Sequence, residues 1–219
     1  MKWIYMKTIL IVILPIIGLF AVQRIPAQGT LYVSNLGQGP TGSTAIGSDS
    51  WIAQVFVTGT NSDGYALNSI QLLMNPASGN PTDFSVSIYS SLSPIYDLGS
   101  LSGSGPAAGG IFTYTASGIT LSPSANYFVV LTAATPVAQG AYNWSAGIQY
   151  AFGSNQWEIA AAYFNSADGL IWTGHSRQNA FQFDIYATSV PEPATYALAG
   201  LGLVVLSSWR RNLKSPCNN

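Results

Sequence analysis

Asp83-Phe84-Ser85-Val86-Ser87-Ile88-Tyr89-Ser90 alternates between apolar and polar side chains almost without a break. Successive residues of a strand point to opposite sides of a sheet, so Phe84, Val86 and Ile88 share one face and Ser85 and Ser87 the other. One oily face and one wet face is the pattern of an antiparallel sheet packed on one side. Ala180–Ala187 repeats it, with Phe181, Phe183 and Ile185 set against Gln182, Asp184 and Tyr186. Trp51–Thr58 places Val55 and Val57 on one face and Gln54 and Phe56 on the other, and Trp51, in phase with the two valines, is expected in the core. Ala66–Met74 alternates as well, and Tyr127–Thr132 is apolar on both faces, as a central strand is.

Thr30–Ser34, Ile111–Thr115, Tyr142–Tyr150 and Gln156–Phe164 bring the expected strands to about nine. Between them lie breaker-rich joints. Gly37–Ser50 and Ser91–Gly110 read as loops; Asn61-Ser62-Asp63-Gly64, Asn75–Pro81 and Leu121-Ser122-Pro123 read as turns; Asp168-Gly169 reads as a hairpin turn. No helical periodicity occurs between the two ends of the chain. The fold expected is all-β, an antiparallel sandwich of jelly-roll type over residues 28–189.

That domain holds one basic residue, Arg177, against seven acids: Asp49, Asp63, Asp83, Asp97, Glu158, Asp168 and Asp184. Its net charge of −6 contrasts with −1 for the whole chain, because the remaining cations sit in the terminal segments. Phosphate neutralisation needs several Lys or Arg, so nucleic acid is excluded as a partner. The single cysteine, Cys217, lies beyond the domain, so no disulfide staples it. A core buried by about 160 residues must hold it together.

The two ends read as targeting segments. Lys2 and Lys7 precede an apolar run, Thr8–Val22, interrupted by Pro15 and followed by Ile25-Pro26-Ala27. This is the layout of a secretory signal peptide, residues 1–27, forming a short signal helix. At the other end, Pro191-Glu192-Pro193 is stiff and extended, since each proline fixes its own φ and restricts the residue before it. An apolar run rich in Leu, Val, Ala and Gly follows, and then Arg210, Arg211 and Lys214. Cations after an apolar segment hold that end on the cytoplasmic side. As a helix, Ala194–Trp209 would extend roughly 24 Å, short of a hydrocarbon core of about 30 Å, which suits a transient span better than a permanent anchor.

The order proline-acid-proline, short apolar helix, basic cluster over residues 190–211 resembles the PEP-CTERM tail of bacterial proteins handled by exosortases. The resemblance implies export, a brief stay in the membrane, processing near Pro191-Glu192-Pro193 by an exosortase-like enzyme, and transfer to the cell surface or extracellular matrix. Residues 212–219 would be left as a cytoplasmic-side tail. The body also resembles a known group. Gln54-Val55-Phe56-Val57-Thr58-Gly59, Tyr65-Ala66-Leu67-Asn68-Ser69-Ile70, Phe84–Tyr89 with Pro94, and Leu121-Ser122-Pro123 before Tyr127–Leu131 are similar to the choice-of-anchor R group of bacterial surface domains. That resemblance implies a β-rich extracellular module and brings no catalytic residues.

Direct signals of chemistry are sparse. His175, the only histidine, lies in Gly174-His175-Ser176-Arg177, read as a surface loop before a strand. A hydrolytic triad needs a histidine beside a nucleophile. Glu158 and Asp184 are the acids best placed on strands for a glycosidase pair, but the polar partners such a cleft uses are few. No catalytic residue, cofactor or bound metal is expected. Asp63 and Asp168, with Asn61 and Asn165, are weak calcium candidates through their loop oxygens. The domain's four tryptophans and many tyrosines supply rings for stacking on sugars, and Trp144, between Asn143 and Ser145, and Trp172, followed by Thr173 and Gly174, are the expected surface rings. The reading is a secreted, non-enzymatic surface or matrix protein. The alternative is a carbohydrate-binding module in contact with exopolysaccharide, with a glycan-active enzyme third.

Overall fold

The computed structural model describes residues 29–147, 150–176 and 179–191, together with Gly200. The expected signal helix of residues 1–27 lies outside the described residues, as does the expected membrane helix of the tail apart from Gly200. Among the described residues no helix is long and apolar enough to cross a membrane.

Two antiparallel sheets face one another. The first runs β1 (Thr30–Ser34), β14 (Phe183–Ser189), β4 (Tyr65–Gly79), β10 (Gly140–Gly147), β2 (Pro40–Ile46), with β7 (Gly110–Thr115) and β8 (Thr120–Leu121) also on β4. The second runs β11 (Ala151–Phe152), β12 (Glu158–Ser166), β3 (Trp51–Val57), β9 (Asn126–Thr132), β5 (Ser85–Leu92), β6 (Ile95–Leu101), with β13 (Thr173–Ser176) also on β12. The sandwich is as the alternation requires. Val86 and Ile88 of β5, and Phe183 and Ile185 of β14, enter the shared core, whereas Ser87 faces away and meets Ser100. β9 lies between β3 and β5, and both its faces are covered: Tyr127, Val129 and Leu131 on the core side, Phe128 and Val130 on the other.

The core is aromatic. Trp157 stacks on Tyr32 at 5.0 Å and meets the edge of Tyr65 at 4.9 Å, while Trp144 stacks on Phe181 at 4.6 Å. Most polar groups drawn inside are paired, as burial demands; among the described residues Trp157 Nε1 and Asp184 Oδ1 are buried without a partner. Gln182 is fully buried; its amide accepts from Ser145 Oγ at 2.7 Å and donates to the carbonyls of Asn35 and Gln38. Gln54, equally buried, donates to the carbonyls of Ala160 and Ala162 and accepts from the N–H of Phe181, tying the two sheets together.

Four expectations are corrected. Pro40–Ile46 forms β2 inside the expected Gly37–Ser50 loop; only Ile46 reaches the core, and the ladder to β10 rather than burial holds the rest. Ile95–Leu101 forms β6 inside the expected Ser91–Gly110 loop, joined to β5 through two register shifts that hide any regular alternation. β4 continues through Asn75–Gly79, inside the expected Asn75–Pro81 turn. Tyr142 of β10 lies opposite both Pro76 and Ala77, a bulge that tolerates the proline. Trp51 belongs to the outer face of the second sheet, because Phe56, not Val55, points inward on β3.

Candidate functional site

β14 ends at Ser189, and the tail leaves from there. Val190 donates its N–H to Gly64 O, and its own carbonyl accepts from Asn61 Nδ2. Pro191 is exposed immediately afterwards. The start of the proline-acid-proline segment is therefore pinned to the β3–β4 turn and presented at the surface. Glu192, Pro193, Arg210, Arg211 and Lys214 lie outside the described residues.

The tryptophans separate differently from the sequence reading. Trp144 is fully buried and donates its indole N–H to Gln182 O at 3.1 Å, so it offers no ring to a ligand; its polar neighbours Asn143 and Ser145 occupy the opposite side of β10. Trp172 is half-buried on the outer face of the second sheet. There it packs with Trp51, Phe128 and Phe164 around Ala53, Tyr89, Leu92 and Val130. Both indole N–H groups turn inward, Trp51 to Ser48 O and Trp172 to Gly169 O, each at 3.1 Å, which fixes the rings. The β12–β13 hairpin lies over this cluster, and its tip carries Leu170 and Ile171, 69% and 77% exposed. Sequence alternation missed the cluster because an apolar outer face looks the same as a core face.

The acids do not converge. Asp168 lies in the hairpin next to Trp51, opposite whose Cα stands Ser166, at the start of β3; Asp63 follows the other end of β3. Asp168 Oδ1 already accepts the N–H groups of Leu170 and Ile171 and the Ser166 hydroxyl. Those hydrogen bonds, led by the Leu170 and Ile171 N–H groups, hold its carboxyl below the usual range. They are the bonds of a turn-forming aspartate. Among the described residues no group of three or more His, Cys, Asp or Glu is placed to hold a metal ion. Glu158 and Asp184 stand on different sheets, and their strand neighbours Ile159, Phe183 and Ile185 enter the core, so the two carboxylates lie on opposite outer faces and form no pair. Asp184 is 6% exposed, and burial raises its pKa even though Ser34 and the Leu36 N–H bond to it.

His175 is in β13 rather than a loop. It is half-buried, stacked on Tyr163 at 4.8 Å and hydrogen-bonded to Asn165 Oδ1. Next to it the sandwich opens between β2 and β12. A groove of about 180 Å³ lies there, lined by Thr41, Ser43, Thr44, Tyr163, Asn179 and Phe181, all uncharged.

These features define an all-β sandwich whose last strand runs directly into a C-terminal segment of targeting type. Comparison with known families adds the particular signal: residues 189–212 match the PEP-CTERM protein-sorting motif. The match begins on the last residue of β14. It supports sorting by an exosortase system, with export, membrane-associated processing and delivery to the cell surface. No curated protein matches the chain.

Proposed function

We propose that residues 28–189 form a non-enzymatic interaction module of the cell surface or extracellular matrix, exported through the signal segment 1–27 and delivered by the PEP-CTERM tail. The observation that carries this is the direct join of the sorting motif to β14, which makes the sandwich the cargo of the signal. The transient partners are the membrane and an exosortase-like enzyme that cuts near Pro191-Glu192-Pro193. The arrangement of the acids and of His175 supports a non-catalytic role, since the residues of a hydrolytic site are spread over both sheets.

The test is replacement of Arg210, Arg211 and Lys214 together by Glu. Without a cationic stop the short apolar segment slips through the membrane. The variant is expected in the medium with its tail uncut, and normal surface display of it would refute the sorting mechanism.

One observation favours a second reading as a carbohydrate-binding module: the fixed outer rings of Trp51, Phe128, Phe164 and Trp172. Aromatic faces of this kind stack on the apolar faces of sugars. A glycan-binding screen comparing the native protein with Trp172→Ala tests it; binding untouched by that change would remove the cluster from consideration.

A further inference from the structure

The sorting motif leaves the sandwich without a linker. Ser189 pairs with Tyr65 at the last rung between β14 and β4. Pro191 has no N–H to donate, so Val190 is the last residue able to extend that ladder. Its N–H donates to Gly64 O at 3.0 Å, and its carbonyl accepts from Asn61 Nδ2 at 3.1 Å, from 129 residues away in sequence. Asn61 Nδ2 also donates to Gly64 O at 2.6 Å, so one amide nitrogen holds both carbonyls. The turn behind this clasp is anchored. Gly64 N–H donates to Asn61 O, Asn61 N–H donates to the Tyr65 hydroxyl at 3.1 Å, and Tyr65 is buried against Tyr32 and Trp157. Gly64 has φ +76°, and a Cβ there would collide with Leu121 O.

Pro191, Glu192 and Pro193 alone separate Val190 from the apolar run that begins at Ala194. Fully extended, the chain from Val190 to Ala194 reaches at most roughly 14 Å. A membrane-held enzyme that cuts in this stretch therefore meets the folded sandwich itself. A protease takes its substrate as an extended segment, with residues on both sides of the cut inside its cleft, and a segment already paired in a sheet is closed to it. Cutting then follows the population of the locally opened form, when opening and closing are fast. The opening needed here is small. Val190 must leave Gly64 O and Asn61 Nδ2, and Thr188 and Ser189, both exposed, follow it.

We infer that Asn61 is a positioning residue for tail processing: its amide clasps Val190 into the sandwich, and release of that clasp sets how fast the exosortase-type enzyme reaches the bond it cuts. The inference rests on the sorting reading above, since it needs a cut near Pro191-Glu192-Pro193. The chemistry of cutting belongs to the enzyme; the sandwich decides how often its substrate is free. Loss of the Asn61 Nδ2 bond to Val190 O is expected to raise the open population about fivefold, equivalent to about 1 kcal/mol. The turn itself keeps its backbone bond from Gly64 N–H to Asn61 O.

Pulse–chase labelling of the full chain in the bacterium that makes it, with full-length and tail-less forms separated by mass, is the test. Asn61→Ala is expected to shorten the half-life of the full-length form about fivefold. Asn61→Asp keeps the size of the side chain but sets an acceptor against both carbonyls, and should shorten it at least as much. Thr58→Ala is the control: it removes hydroxyl bonds to Ser122 O and Ala125 O at the same end of the sandwich without touching Val190, and should leave the rate unchanged. A flexible insert of about eight Gly and Ser residues between Val190 and Pro191 should speed cutting and make it indifferent to Asn61, which a merely structural role would not do. Circular dichroism checks that each variant is folded, and Asn61→Asp carries the test if the alanine loosens the turn. Cutting at the native rate or slower in both Asn61 variants overturns the inference and leaves the sorting reading standing. So does a dependence on Asn61 that survives the insert. A chain that is never cut, native or variant, overturns the sorting reading and this inference with it.

Discussion

Replacing Trp144 by Ala separates a core role from a ligand-binding one. The indole is fully buried, stacks on Phe181 at 4.6 Å, tilts against Phe183 at 6.0 Å and donates to Gln182 O. Truncating a buried aromatic to Ala costs about 3–5 kcal/mol from lost transfer energy and the cavity left behind. The hydrogen bond adds little beyond that, because Gln182 O still accepts from Leu73 N and is not orphaned. A domain of this size loses about 2–4 °C of melting temperature per kcal/mol, so a fall of about 6–20 °C is expected. Thermal denaturation followed by circular dichroism reads it directly. Trp172→Ala, from a half-buried site on the outer face, should cost about 1–2 kcal/mol and give the smaller shift. A Trp144→Ala melt within about 2 °C of the native one, below any core-cavity cost, would refute the packing argument.

Asp184 provides a pH test. Burial raises its folded-state pKa above the unfolded value, so its contribution to stability is full below the unfolded pKa and is lost as pH rises through the folded one. Asp184→Asn is therefore expected to be as stable as the native protein or more so at neutral pH, with the advantage vanishing in acid; a pH series of melting temperatures checks it. Asp168 has the opposite sign: its folded pKa is lowered, its stabilisation is present above the unfolded value, and it is lost as pH falls through the folded one. Asp168→Ala should be destabilising at neutral pH, an effect that fades in acid, when melted over the same series. Gly169 has φ +75°, and a Cβ there would stand 2.9 Å from the Trp51 ring. Gly169→Ala should cost about 1–2 kcal/mol from the left-handed backbone alone and should quench or shift tryptophan fluorescence as the hairpin moves. Chelator should leave the melting temperature of the native protein unchanged, since Asp168 Oδ1 spends its acceptor capacity within its own turn; a large fall would restore Asp63 and Asp168 as calcium ligands.

Alternation in β5 and β14 was enough to reach an antiparallel sandwich and to assign the inward side chains of those two strands, and the run of β9, apolar on both faces, marked it as central. The reason is physical: a period of two leaves no freedom in which residues share a face. The tail was equally legible, because proline stiffness, apolar length and terminal cations act locally and need no fold to be read. Other elements depended on partners distant in sequence. β2 and β6 carry too little apolar side chain to announce themselves, and they exist because β10 and β5 offer them hydrogen bonds. Trp144, between two polar residues, closes the core, and Trp172, preceded by Ile171, lies on an outer face, so the immediate neighbours do not tell the two apart. A strand's pattern states that two faces differ or agree; only the stacking of the second sheet decides which face is inside. The open side of the sandwich, where β2, Tyr163 and Phe181 meet across more than a hundred residues and the described lining is uncharged, is likewise a product of tertiary structure alone.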